Sequence, residues 1–257
     1  VAKNKYFRKI LDVYYIMEIK SILLIVFIIV LLFLLIRYIM KDVNTLTGLM
    51  DGKTMQTIAG SDLDTSNTSA STSNFCYSIW FFIDDWNYRY GEPKVLFGRM
   101  SGGTGPCPLV VLGATENNII TTLQVYPGAD SVSDTGDNSP IVHDCNVGNV
   151  PLQKWVNLII SAYGRSLDVY IDGKLVRTCL LPGVSKIDPS ADVFVTPNGG
   201  FSGWTSTFQF WGDSCDPQKA WNIYKKGYGG SMLGNLGKYS VKVSLMEGDT
   251  EDASFEI

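Results

Sequence analysis

Two patterns of apolar and polar positions divide the chain. From Ile22 to Ile36 it reads ILLIVFIIVLLFLLI, fifteen apolar residues without interruption. A helix on a soluble domain keeps a polar face, and this run has none. Widened to 21–40, the stretch has twenty residues and one charge, Arg37. At about 1.5 Å per residue it spans roughly 30 Å, the thickness of a hydrocarbon core. The pattern predicts a single transmembrane helix over 21–40. Ile22, Phe27, Phe33 and Ile36 lie in this anchor, and Arg37 snorkels to the headgroups.

Beyond Asn74 the texture changes to short apolar or alternating runs punctuated by Gly, Pro, Asn and Asp, the signature of strands. FCYSIWFFI (Phe75 to Ile83), KVLFG, PLVVLG and IITTLQVY come first, then WVNLIISAY ending at Gly164-Arg165. In the next run Leu167, Val169 and Ile171 alternate with Asp168, Tyr170 and Asp172, which buries one face. Asp172-Gly173 supplies positive φ for a two-residue turn into KLVRTCLL. A helix is expected at DPQKAWNIYKKG, with Asp216 as cap and Pro217 at its first position.

Between the two patterns lies a Ser/Thr-rich stretch, 41–73, whose last part, GSDLDTSNTSASTS, has one large apolar residue, Leu63. It reads as an unfolded tether. Asn67 opens an Asn-Thr-Ser triplet, a candidate N-glycosylation site. The expected organisation is therefore a basic flank at 1–20, the anchor at 21–40, the tether at 41–73, a sandwich at 74–230, and a carboxyl-terminal extension at 231–257 with an extra hairpin.

Charge sharpens this division. Val1 to Lys41 carries seven Lys or Arg against two acids, and the remainder carries fourteen against twenty-three, giving +5 and −9 for the formal total of −4. So acidic a domain lacks the attraction to phosphate that dominates non-specific nucleic-acid binding, which excludes nucleic acid as a direct partner. Lys3, Lys5, Arg8, Lys9 and Lys20 outnumber Arg37, Lys41 and Lys53 across the anchor. The amino terminus is expected in the cytosol and the large domain across the membrane.

The order Pro-Leu-x-x-Trp (151–155), a strand ending in Tyr-Gly, LDVYIDGKLV, and then Phe201-x-Gly203 resembles the laminin-G-like, concanavalin A-like lectin superfamily. NFCYSIWFFI is similar to that family's first long strand, and FQFWGDSCDPQKAWNIYKKG to its closing strand and short helix. The resemblance covers about Asn74 to Gly230. It implies an all-β jelly-roll sandwich of two antiparallel sheets, here preceded by a single transmembrane helix.

Chemistry is sparse in the sequence. The family's glucanases carry a Glu-x-Asp-x-x-Glu pattern that is absent here; the nearest carboxylates, Asp168 and Asp172, flank Tyr170. His143, the single histidine, reads as an exposed loop residue and cannot build a His-rich metal site. No enzyme activity is expected, and no cofactor except calcium. For calcium, Asp130, Asp134 and Asp137 offer hard oxygen ligands, the alternative being a solvated acidic loop. Five cysteines lie in the large domain, with a pairing the spacing does not reveal. In DDWNYRYGE (84–92), Trp86, Tyr88, Arg89 and Tyr90 are candidates for contact with a protein partner or a glycan.

Two functions remain. The basic flank, single anchor, tether and YKKGYGGS ending resemble laminin-G-like proteins of large nucleocytoplasmic DNA viruses, including algal viruses. That resemblance implies a minor capsid protein linking an internal viral membrane to the shell, with membrane and capsid proteins as partners and the membrane–capsid interface of the virion as its location. The alternative is a membrane-anchored, glycan-binding lectin or adhesin. The first needs a broad docking patch; the second needs a small site with a few convergent polar groups.

Overall fold

The computed structural model describes residues 24–35, 44–63, 73–100, 105–127, 139–229, 242–247 and 250–256. The chain divides into two compact units, Val1–Asp42 and Val43–Ile257. In the first unit, residues 24–35 form helix α1. Among the described residues no helix is long and apolar enough to cross a membrane. Ile22, Ile36 and Arg37 lie outside the described residues, whereas Phe27 and Phe33 sit on α1.

Among its described residues the second unit is all-β apart from one α-helix and a short 3-10 turn. Strands β1 (Thr45–Thr47), β2 (Met50–Asp51) and β3 (Gln56–Ile58) precede the long β4 (Phe75–Asp85). Next come β5 (Lys94–Met100), β6 (Leu109–Leu112), β7 (Asn118–Pro127) and β8 (Ile141–Gly148). They are followed by β9 (Trp155–Tyr163), β10 (Ser166–Ile171), β11 (Lys174–Leu180), β12 (Gly183–Ser185), β13 (Asp192–Val195) and β14 (Ser202–Trp211). Helix α2 (Pro217–Lys226) closes this part, and β15 (Lys242–Glu247) pairs with β16 (Thr250–Glu256) as a separate antiparallel hairpin.

Two seven-stranded antiparallel sheets result, consistent with a jelly-roll sandwich. The first runs β1-β14-β4-β9-β10-β11, with β2 also on β14; the second runs β12-β7-β6-β5-β13-β3, with β8 on β7. Between them lies one apolar core, in which Phe75, Tyr77, Ile79, Phe81 and Ile83 of β4 meet Leu96, Phe97, Leu123, Leu167, Phe208 and others. The expected turn is present: Asp172 and Gly173 have φ of 50° and 73°, and Ile171 pairs with Lys174. Asp216 caps α2 by accepting from the Lys219 N–H at 2.6 Å, with Pro217 at the first helical position.

The tether expected at 41–73 is corrected over 45–63. Thr45 pairs with Gln209, Met50 with Thr205, and Thr57 with Phe194, so both sheets take strands from this stretch. The physical reason is burial and bonding: Ile58 and Leu63 enter the main core, and the Gly60 N–H donates to Asp192 Oδ1 at 2.9 Å. Asn67 lies outside the described residues. His143, expected in an exposed loop, instead stands half-buried on β8 opposite Leu123. Alternating positions on that strand face in opposite directions, so a polar flanking sequence did not prevent pairing.

Two disulfides join distant elements. Cys76–Cys215 ties β4 to the segment entering α2, and Cys145–Cys179 ties β8 to β11 and hence one sheet to the other. Cys107 is a buried free thiol. Burial pushes it up to about 12.

Candidate functional site

The expected contact loop between β4 and β5 is held from within and from outside. Asp85 Oδ1 accepts from the Asn87 N–H at 2.9 Å, an Asx turn that lets Arg89 adopt a φ of 53°. The Arg89 guanidinium then pairs with Glu92 at 2.7 Å and donates to the Asn198 carbonyl. Tyr88 donates its hydroxyl to the Gly199 carbonyl at 3.1 Å, and Lys53 Nζ stands 4.7 Å over its ring. Trp86 packs against the main core with Lys94 Nζ 4.7 Å over its ring. Lys94 is buried and donates no hydrogen bond to a described residue. Its pKa is lowered, first by burial and then by Arg89, against the opposing pull of Asp85 and Glu92. Of the four candidates, Trp86, Tyr88 and Arg89 hold the loop in place, and Tyr90, 60% exposed, projects from it.

The other sequence candidates separate. Asp130, Asp134 and Asp137 lie outside the described residues, and among the described residues no group of three His, Cys, Asp or Glu is placed to hold a metal. Asp144 accepts from Thr122 Oγ1 at 2.6 Å. Asp168 accepts from Thr178 Oγ1 at 2.6 Å, and Asp172 accepts from the Asn157 N–H at 3.0 Å and pairs with Lys154 at 3.1 Å. These acids are engaged in holding strands together.

The aromatic surface lies elsewhere, on the outer face of the first sheet. Even-numbered residues of β4 point away from the main core, since alternating side chains take opposite faces. At one end of this face Cys76, Ile159, Tyr170, Cys215, Ala220 and Ile223 form a second small core under α2. The Ser161 hydroxyl accepts from the Cys215 N–H at 2.8 Å. Gly173 allows the helix to sit close, because a Cβ there would meet the rings of Trp221 and the side chain of Tyr224 at 2.9 Å. Burial raises the Tyr170 hydroxyl, reinforced by Asp168 and Asp216; burial lowers the Lys219 ammonium, opposed by Asp213 and Asp216.

Towards the other end, α2 gives out and the aromatics continue. Tyr224 stacks on Trp80 at 5.6 Å and Tyr228 on Trp155 at 4.6 Å. Tyr228 is fixed by its carbonyl, which accepts from the hydroxyls of Ser206 at 2.6 Å and Thr207 at 2.7 Å. Beyond them, Trp204, Phe82 and Trp155 occupy facing positions on β14, β4 and β9 and form a row on one face. With strands about 4.8 Å apart, the row is roughly 10 Å long. Trp204 is 47% exposed, and Phe82 and Trp155 are half-buried. Asp51 of β2 faces Trp204, and the Lys154–Asp172 pair lies beside Trp155. One signal for this row is local: in FCYSIWFFI the even positions Cys76, Trp80 and Phe82 are apolar as well as the odd ones.

No family model and no curated protein matches the chain. Solved structures it is similar to include the botulinum neurotoxin serotype G binding domain, at 13% identity and a TM-score of 0.45, over 72% of this chain and 49% of that one. Another is the botulinum neurotoxin serotype D ligand binding domain in complex with N-acetylneuraminic acid, at 12% identity and 0.47, over 74% and 54%. A third is the binding domain of botulinum neurotoxin DC in complex with rat synaptotagmin II, at 16% identity and 0.48, over 67% and 40%. The chain spans about half the length of these structures.

Proposed function

We propose that the protein is a membrane-anchored, non-catalytic recognition module that binds a saccharide through the aromatic row Trp204, Phe82 and Trp155. The observation that carries this reading is a half-exposed tryptophan at the head of a narrow row with carboxylates on its rim. The C–H face of a sugar ring stacks on an indole, and its hydroxyls donate to neighbouring carboxylates. Scale favours a sugar over a protein here. A row of roughly 10 Å matches one or two sugar rings, whereas a stable protein interface takes about 800 Å² per partner.

The anchor belongs to the same reading. Every side chain of α1 is apolar and at least 45% exposed, as suits a helix whose surroundings are lipid. Two disulfides suit an oxidising compartment, on the far side of the membrane from a cytosolic amino terminus. Asp168 of β10 and Asp172 of the turn after it are taken up by Thr178, Asn157 and Lys154, which favours binding over hydrolysis. The minor capsid role rests on the viral resemblance alone, and no side-chain arrangement described above adds to it.

The test is a glycan array probed with the full chain in a detergent that has no sugar headgroup. Binding to a defined glycan is expected, weakened at least tenfold by Trp204→Ala, with stability changed by only about 0.5 kcal/mol. A blank array, or binding indifferent to Trp204→Ala, overturns the reading.

A further inference from the structure

One carboxylate at the aromatic row is held by more than its own short strand. Asp51 lies directly opposite Trp204, and facing residues of an antiparallel pair put their side chains on the same face. Their Cβ atoms stand about 5 Å apart. The carboxylate is therefore within reach of a hydroxyl at the edge of a ring stacked on the indole. Among the described residues no strand pairs beyond β2, so Asp51 closes this end of the row.

The turn that carries Asp51 is braced from three directions. Within the turn, Asp51 Oδ1 accepts from the Lys53 N–H at 2.7 Å and the Asp51 carbonyl from the Thr54 N–H at 3.2 Å. From the strand behind, the Gly203 carbonyl accepts from the Gly52 N–H at 2.8 Å, and the Phe201 N–H donates to the Gly52 carbonyl at 3.1 Å. Glycine alone allows this approach, because a Cβ at position 52 would meet the carbonyl oxygens of Phe201 at 2.9 Å and Gly203 at 3.0 Å. From the far side, Thr196 Oγ1 donates to the Thr54 carbonyl at 2.7 Å, and Lys53 Nζ stands over the Tyr88 ring. One carboxylate oxygen is thus committed to the turn, and Oδ2 accepts from no described residue. A ligand that uses this acceptor meets it already oriented, which lowers the ordering cost of binding.

The charge left open along the row has one sign. At the Trp155 end, Lys154 and Asp172 neutralise each other. At the Trp204 end no described cation forms an ion pair with Asp51, and Asp84, exposed two residues beyond Phe82 on β4, is a second acid.

We propose, resting on the saccharide reading of the row, that Asp51 sets its specificity: the carboxylate accepts hydroxyls of an uncharged sugar stacked on Trp204 and turns away saccharides that carry a carboxylate of their own. A carboxylate only accepts hydrogen bonds, so it suits hydroxyls and repels a second carboxylate. The site is completed by β2, from the stretch whose pattern reads as a tether.

The test is a glycan array on which each neutral oligosaccharide stands beside a counterpart of the same chain ending in a uronic acid, read with the full chain in the detergent above. Wild type should favour the neutral member of each bound pair by about tenfold. Asp51→Asn keeps the shape and loses the charge; it should weaken the neutral glycan about tenfold and erase the preference. Asp51→Glu keeps the charge but moves it by one methylene, and should weaken the neutral glycan while retaining the preference. Position 51 is exposed, so both variants should melt at the wild-type temperature. A blank array, or binding indifferent to Trp204→Ala, removes the row and Asp51 with it. Binding that is lost in Trp204→Ala yet unchanged in strength and preference in Asp51→Asn overturns the role of Asp51 and leaves the row. A wild-type preference for the uronic acid members also overturns it.

Discussion

The inner and outer faces of the first sheet are made by the same strands and have opposite fates. On the inner face Tyr77 meets Phe97, Phe208 and Phe210 with ring centroids 4.9 to 5.9 Å apart, and the opposing sheet seals the whole length. On the outer face the cover, among the described residues, is α2 and Tyr228 just beyond it. The ten residues of α2 span about 15 Å, while the eleven of β4 span about 36 Å. The helix therefore seals Cys76 and Tyr170 and reaches Trp80 through Tyr224, and leaves Phe82, Trp155 and Trp204 partly open. A sheet apolar on both sides reads as an unbroken hydrophobic run; the length of its cover decides which part becomes a surface.

The sharpest way to break this comparison is to truncate one ring on each face. Phe81→Ala on the sealed face should cost about 3–5 kcal/mol in denaturant unfolding. Trp155→Ala should cost about 1–2 kcal/mol, because its ring is half-buried and its contacts are mainly the stack with Tyr228 and the tilted pair with Phe82. Equal losses would mean that the outer row is core. Trp155 itself is half-buried in the structure.

The smallest contrast is in alkaline titration. Burial raises the Tyr77 hydroxyl to about 12, aided by Cys107 and opposed by Arg99, and burial also raises Tyr170. An unfolded tyrosine ionises near 10 while the folded one holds its proton. The stability from each group is thus complete below pH 10 and is lost as pH rises through the folded value. Tyr77→Phe should flatten the fall in stability above pH 10 by at most about 1.4 kcal/mol per pH unit, and Tyr170→Phe should flatten it less. Identical slopes would place both rings in equivalent surroundings.

The sequence made the β9–β11 hairpins legible, since alternation at Leu167, Val169 and Ile171 and the Asp172-Gly173 turn are local signals. The start of α2 was legible for the same reason. Strands β1, β2 and β3 were not: three, two and three residues are too short for alternation, and their partners lie over a hundred positions away on β14 and β13. The same distance hid the role of the loop at 84–92. Its aromatics look free until the carbonyls of Asn198 and Gly199 arrive beside them. Trp204 follows a glycine-rich stretch that says nothing about which face it takes, and only its pairing with Phe82 puts it in the row.

The Cys76–Cys215 bridge also limits how far the protein can stretch. It closes 139 residues into a covalent loop that contains Phe82, Trp155 and Trp204. Pulled straight, that length of chain would release roughly 470 Å. When the chain is pulled from points ahead of Cys76 and beyond Cys215, tension passes across the bridge, and none of that slack is paid out. Extension under such a pull is confined to the residues outside 76–215, while the strands inside the loop keep their length.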